Sequence, residues 1–323
     1  MRFWVGVTDE DWYRSLSSEP TIDEVNFWQP SGTRTFKSLD EGELFLFKLH
    51  APKNAIVGGG VFAHATLLPS SLAWEAFGPK NGAASLAQMR TRIERYRKER
   101  PARFEDYVVG CILLEQPFFL PDESWIPAPD DWKPNIVQGR TYGPDSVAGR
   151  RLWNRVQEAL ATLPAAPPLA AATIPLPASA IDPHKKAEPA SRCGEPILVR
   201  PRLGQGSFQV VVTDAYERRC AVTRERALPA LEAAHIKPYS EHGEHRVDNG
   251  LLLRRDLHAL FDRGYLTVTP ELRLEVSRRI REEFENGRDY YAMHGRELWV
   301  PSNPRRRPNS EFLRWHNEGR FLG

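Results

Sequence analysis

Short apolar runs broken by glycine, proline and polar clusters fill the first half of the chain: "RFWVGVT", "GELFLFKL", "AIVGGGVFAHATLL" and "EDYVVGCILLEQPFFL". Their length and their alternating or continuous apolar character predict strands. Two segments depart from that pattern. "TDEDWYRSL" offers Thr8 or Asp9 as a cap and acids for a first helical turn. "GAASLAQMRTRIERYRKER" sets Leu86, Met89 and Ile93 along one face and basic residues on the other. The pattern predicts a mainly β domain with a few helices, folded as a curved sheet or small barrel.

Between Leu163 and Ala190 the composition shifts to alanine and proline without aromatics or periodicity, which predicts an interdomain linker rather than an overlong loop. The boundaries expected are 1–162, a linker over 163–193, and a second domain over 194–323. Beyond the linker, "FQVVVTDAYERRC" fits either strand or helix, and "CAVTRERALPALEAAHI" is hairpin-like. A helix is predicted from about Arg254, with Leu257, Leu260 and Phe261 facing inward and Gly264 as its left-handed terminator. No internal repeat is visible.

Composition narrows the classes. A length of 323 residues exceeds what one core usually organises, and 41% hydrophobic with 27% charged residues suits a globular chain. No apolar stretch approaches the ~20 residues needed to cross a bilayer, and "MRFWVGVTDEDW" lacks the features of a secretory signal, so a cytoplasmic location without a membrane partner is expected. Cys111, Cys193 and Cys220 form no CxxC pair, which argues for reduced thiols and against structural zinc or a disulfide framework. The formal charge of +2 decides little, although "RRDLH" and "NPRRRP" concentrate positive charge locally.

The candidate chemistry lies in "LEAAHIKPYSEHGEHRVDNGLLLRRDLHALFDRGY". His235 ends an apolar run, Asn249 follows after fourteen positions, and His258 after nine more. Hydrolysing a phosphodiester at neutral pH calls for a base that deprotonates water and a cation that neutralises the phosphate and leaving oxygen. An imidazole suits the first task. A second imidazole suits a metal, and an asparagine between them can pin the loop by its amide and orient the first ring. Each histidine alone is more often structural; their joint spacing carries the signal.

That layout, a strand ending in "AHI", a loop with "DNG", a strand "LLL" and a helix with "DLH", resembles the HNH family of ββα-metal nucleases over about residues 200–280. The resemblance implies that His235 is the general base, Asn249 the loop-orienting amide and His258 a metal ligand. More narrowly, "RLGQGSFQVVVTDAYERRCAVT", "LEAAHI", "NGLLLR" and "LHALFDRGYLTV" resemble the subgroup fused to restriction-type specificity domains. Two departures stand out. Ala234 occupies a position where many members carry an Asp or His ligand, so either His258 with waters holds the ion or Glu232, two residues back on the same strand face, reaches in. The cysteine pairs that brace many relatives with zinc are missing, which leaves packing around Leu228, Leu231, Leu252 and Phe261 to do that work. The implied cofactor is a divalent ion: Mg²⁺, with Mn²⁺, Co²⁺ or Ni²⁺ as alternatives. His242 and His245 are expected in solvent, with a phosphate contact left open, and Tyr239 either lines the loop or covers it. Arg254, Arg255 and Arg263 fit phosphate contacts or an ordinary charged helix face.

In the first half, "EVNFWQPSG", "FKSLDEGELFLFKLH" and "AIVGGGVF" resemble the EVE and wider PUA-like superfamily, relatives of which take a modified base out of the helix into an aromatic pocket. A flipped base needs aromatic walls and an amide or backbone donor for its edge. The expected pocket comprises Phe27 and Trp28 as walls, Asn26 and Gln29 as edge readers, Ser31 as a small neighbour, and Trp74 and Trp12 as further walls, with a core role as the alternative for each aromatic. Arg90, Arg92, Arg95, Arg97, Lys98 and Arg100 form either a phosphate-binding strip, with Arg90 and Arg95 foremost, or a solvated face diluted by Glu94 and Glu99.

Together these resemblances imply an α+β chain: an EVE-type PUA-like sheet domain with helices, then a ββα-metal HNH domain. The function they imply is a type IV-like, modification-dependent restriction endonuclease that flips and reads a 5-methyl- or 5-hydroxymethylcytosine in double-stranded DNA. Cutting both strands would call for a homodimer, and a flexible linker would allow a variable cleavage distance. The alternatives are a DNA- or RNA-binding reader with an HNH domain made inactive at Ala234, and an RNA-directed nuclease.

Overall fold

A computed structural model of the chain describes residues 2–19, 21–97, 101–102, 105–163 and 204–323. The first unit opens with β1 (Phe3–Thr8), α1 (Glu10–Ser17), β2 (Glu24–Gln29), β3 (Leu44–Leu49) and the 15-residue β4 (Ala55–Pro69). It continues with α2 (Ser70–Phe77), α3 (Leu86–Glu94), β5 (Val108–Phe119), β6 (Ile126–Pro127), β7 (Gly139–Tyr142) and α4 (Val147–Thr162). The strands form one seven-stranded sheet in the order β2-β5-β4-β3-β1-β7, with β6 paired to β4. β1 and β3 run parallel, and the other pairs are antiparallel.

Alternation decides which side chain goes where. Along β3, Phe45 and Phe47 enter one core with Trp12, Phe27 and Ile112, while Leu44 and Leu46 enter another beneath Leu152 and Val156 of α4. The strand is covered on both faces, which is why it reads as an unbroken apolar run. Helix α3 is shorter than its periodic stretch; Ser85 caps it by accepting from the Gln88 N–H, and Met89 and Ile93 are buried. Lys98 and Arg100 lie outside the described residues, as do Cys193 and all of the proposed linker except Leu163. Cys111 and Cys220 are free and buried.

The second unit runs α5 (Gln205–Ala215), β8 (Leu231–His235), β9 (Gly250–Arg254), α6 (Arg255–Asp262), β10 (Leu266–Val268), β11 (Leu274–Val276), α7 (Arg279–Phe284), α8 (Arg288–Tyr291) and α9 (Ser310–Gly319). The ambiguous "FQVVV" is helical. Three consecutive valines favour a strand on propensity alone, yet Phe208, Val210, Val211 and Val212 are all buried, because α5 packs on α2 and β4 on one side and on β8 and β9 on the other. Gly264, with φ of 78°, follows α6 as the predicted terminator.

The start of α5 is capped by the first unit. Gly206 and Ser207 donate their N–H groups to the Glu24 carboxylate at 2.9 and 2.8 Å, and the Gly204 N–H reaches both Glu115 oxygens at 3.2 and 3.1 Å. Glu24 and Glu115 are cross-strand partners on β2 and β5, and Lys80 donates to Glu24 at 2.9 Å. Burial, and then the charge of Glu24, push the Glu115 carboxyl up to about 8. A Cβ on Gly204 would lie 2.3 Å from Cδ of Glu24, so a side chain there would displace the Glu24 carboxylate from the cap. Asp214 bonds His64 at 2.9 Å and Arg218 at 3.2 Å, and Arg218 donates to the Leu67 carbonyl at 2.7 Å. One apolar cluster runs from Ala73, Phe77 and Val109 through Phe208 to Leu252 and Phe261. The two units therefore share a core, which differs from two bodies coupled only by a flexible tether.

Candidate active site

Strands β8 and β9 pair antiparallel, with His235 opposite Gly250 and Leu231 opposite Arg254, and α6 begins at the next residue. This ββα unit turns His235 and His258 toward one cleft of about 620 Å³, which Glu232, Tyr239 and Asp262 also line. Leu231, Leu252 and Phe261 are buried and Leu228 packs against them, so apolar packing braces the unit as the missing cysteine pairs required.

His235 is held by neighbours on two sides. Its ring lies on Phe208 with centroids 3.9 Å apart and planes 11° from parallel, and its Nε2 is 2.9 Å from Nδ1 of His245. Burial, reinforced by His245 and His258, lowers its pKa to about 4. The imidazole is neutral at pH 7, the state a general base requires.

Asn249 is fully buried and accepts the Lys237 N–H through Oδ1 at 2.9 Å. Its Nδ2 donates to the carbonyls of Lys237 and Glu244, each at 2.9 Å. These bonds tie together the two ends of the loop from Lys237 to Asn249. The His235 ring is oriented by Phe208 and His245, not by the Asn249 amide. The expectation that His245 stands in solvent is corrected: it is half-buried and stacks on Tyr239 with centroids 5.0 Å apart. His242 is exposed.

His258 sits between carboxylates, with Nδ1 2.8 Å from Glu232 and Nε2 3.3 Å from Asp262. Glu232 also pairs with Arg255 at 3.0 Å. Among the described residues no three such groups already converge as a metal cage; Glu232, His258 and Asp262 are chained through the imidazole. An imidazole nitrogen with carboxylate oxygens is nevertheless a donor set that fits a hard or borderline divalent ion, with water completing its shell. Asp262 was missed in the sequence, although its place four residues after His258 on a helix was the available signal.

The arginines are largely engaged. Arg254 pairs with Asp256 at 2.5 Å, and Arg255 with Glu75 of α2 at 2.9 Å. Arg263 donates to the Ala259 carbonyl at 2.9 Å. Arg90 bonds Ser70 and Asp106, each at 2.9 Å, whereas Arg95 is exposed and 3.9 Å from Asp11. Arg92 is buried against the Gly82 and Asp11 carbonyls, and Arg97 reaches the Pro30 carbonyl at 2.7 Å. The basic strip along α3 is thus partly spent on holding the fold.

The expected base pocket does not form as drawn. The "NFWQ" stretch belongs to β2, where Asn26 and Phe27 are buried in succession and Trp28 and Gln29 are half-buried. Trp12 and Phe27 pack edge to face in the core, 5.4 Å between centroids. Asn26 is buried and bonds Asn81 at 2.8 Å, and Trp28 donates to the Asn81 carbonyl at 3.1 Å. Trp74 packs on the shared core, Gln29 is half-buried, and Ser31 bonds Thr33 at 2.8 Å on the surface. A different cleft of about 590 Å³ opens beside β1 and β3, with Lys48, His50, Asn54 and Trp132 in its wall. Lys48 is buried, bonds the Leu49 carbonyl at 2.8 Å and Asn54 at 2.9 Å, and lies 4.9 Å from the centre of the Trp132 ring.

This is an α+β protein with a ββα unit that joins a neutral histidine to a metal-competent one. Residues 220–269 match the family of HNH endonucleases, so this part of the chain is an HNH endonuclease domain. Among solved structures, a modification-dependent TagI restriction endonuclease is similar at 22% identity and a TM-score of 0.26, over 36% of this chain and only 38% of that one. An ASCH protein from Zymomonas mobilis is similar at 8% identity and a TM-score of 0.33, over 47% of this chain and 94% of that one. No curated protein matches. No helix among the described residues is long and apolar enough to cross a membrane.

Proposed function

We propose that the chain is a modification-dependent DNA endonuclease. The observation that carries this reading is the shared cleft in which a neutral His235, supported on Phe208, faces the Glu232–His258–Asp262 group. His235 accepts the proton of the attacking water. His258 and Glu232, with Asp262 beside them, would hold a divalent ion, which when bound supplies positive charge for the scissile phosphate and leaving oxygen. Asn249 keeps the loop over the base histidine closed. Ala234, fully buried, offers no ligand, and Asp262 supplies a carboxylate in its place.

The first unit selects the substrate in this reading, and its recognition site is the Lys48–Trp132 cleft. A flipped 5-methyl- or 5-hydroxymethylcytosine would stack on Trp132 while Lys48, two of whose three N–H groups are already committed, offers the third to a base oxygen. Two copies, each with one hydrolytic cleft, would cut the two strands. Because the units share a core, the offset from modified base to cut is set by the rigid fold rather than by linker length.

The test is digestion of matched duplexes carrying cytosine, 5-methylcytosine or 5-hydroxymethylcytosine, with Mg²⁺, Mn²⁺, Co²⁺ or Ni²⁺. Selective cutting of a modified duplex is expected. Equal cutting of all three removes the reader, and failure to nick any of them with any ion, while binding persists, leaves a binding protein.

A further inference from the structure

We propose that His245 is the positioning residue that decides which ring nitrogen of His235 is basic; the inference rests on the nuclease reading above. Nε2 of His235 and Nδ1 of His245 are 2.9 Å apart. With both rings neutral, one proton lies between them, and it has two places. If His235 carries it on Nε2 and donates to His245, the Nδ1 of His235 keeps its lone pair and can take a proton from water. If His245 carries it on Nδ1, the His235 proton sits on its own Nδ1 and the lone pair is lost to the hydrogen bond.

The surroundings favour the first arrangement. His235 Nδ1 has no partner among the described residues and is not among their buried, unpartnered atoms, so it opens toward the cleft. A cation held at His258 and Glu232 in the same cleft would repel an N–H dipole there and favour a lone pair. His245 is itself well fixed. Tyr239 stacks on it at 6° between planes, Phe208 flanks it at 5.8 Å between centroids, and Asp23, Glu24 and Lys80 are the charged groups acting on it. The carbonyl of Glu244, the residue before it, is held by Asn249 at 2.9 Å. Asn249 therefore acts on His235 through His245, which gives the loop clamp a chemical purpose.

The experiment pairs cleavage kinetics with ¹⁵N NMR of the histidine rings in the full chain. H245F keeps an aromatic on Tyr239 and removes the acceptor; H245A removes both; H245N places an amide oxygen near the position of Nδ1. H245F and H245A should lose about 10- to 100-fold in kcat with KM little changed, and H245N should recover most of it. The wild-type spectrum should show His235 protonated on Nε2, with that preference lost in H245F and regained in H245N. A wild-type His235 protonated on Nδ1, or H245F cutting at the wild-type rate, overturns the proposal. If the wild type cuts no DNA with any divalent ion, the nuclease reading falls instead, and the nitrogen spectra alone decide the tautomer.

Discussion

The two clefts are of similar volume, about 620 and 590 Å³, and are built on opposite principles. The first is lined by titratable groups, with His235 held by His245 from outside the cleft wall and His258 flanked by Glu232 and Asp262. The second sets one buried amine over one tryptophan. In the proposed reading, hydrolysis depends on where protons reside, and the first cleft would fix tautomers and charge; recognition of a flat base depends on shape and one donor, which the second cleft would supply as a ring and an ammonium. Function follows from what each cleft controls, not from its size.

The largest expected effect breaks the hydrolytic side alone. H235A should lower kcat by about 100- to 10,000-fold and leave DNA affinity intact in a gel-shift assay; lost binding would move His235 from chemistry to recognition.

Next comes the joint between the regions. Replacing Glu24 with alanine uncaps two α5 N–H groups and leaves Lys80 and Glu115 beside an emptied position. Removing one partner of a buried charged network costs about 3–5 kcal/mol. Urea unfolding should show that loss, and cleavage should fall with it because α5 carries Phe208 beneath His235. Unaltered cleavage would mean that the hydrolytic cleft stands without the sheet.

Acid and alkali should act on opposite regions. His235 and His316 have pKa values lowered to about 4, chiefly by burial, so their contribution is complete above the unfolded value near 6.5 and is lost as pH falls toward 4. For His316, fully enclosed between Thr267 and the Phe261 carbonyl, that is roughly 3 kcal/mol. Glu115, raised to about 8 by burial and by Glu24, contributes most below 4.5 and loses it as pH rises through 8. The two histidines outweigh the one carboxyl below 6.5, so these groups place the maximum of thermal stability near pH 6.5. A Tm still rising between pH 6.5 and 8 would contradict the assignment.

The smallest effect sharpens the recognition side. K48M keeps most of the unbranched apolar stem and removes the charge, and should weaken binding to modified duplex by about 5- to 30-fold with binding to unmodified duplex unchanged. Equal loss on both duplexes would place Lys48 in general DNA affinity.

Legibility in the sequence differed between the regions for a physical reason. That His235 and His258 meet in one cleft was legible because hairpin and helix bring them together over a short sequence separation, and spacing within a ββα unit is nearly geometry. Gly264 was legible for a similar reason, since a helix terminator is a local event. The expected pocket was misread because aromatic side chains in a strand have the same composition whether they wall a cavity or fill a core; β2 pairing with β5 sent Phe27 inward, and the half-buried Trp132, over a hundred residues from Phe27, lines the cleft proposed in its place.

By itself, then, the sequence determined the ββα unit, its three marked residues and the strand-rich character of the first half, all consequences of local periodicity and short-range spacing. Tertiary structure alone decided that α5 would be a helix, that Glu24 and Glu115 would cap it from another unit, that His245 would meet His235, and that Lys48 would lie over Trp132. Those outcomes depend on burial and on hydrogen bonds between distant segments, whose strength comes from exclusion of water that no single stretch of chain can achieve.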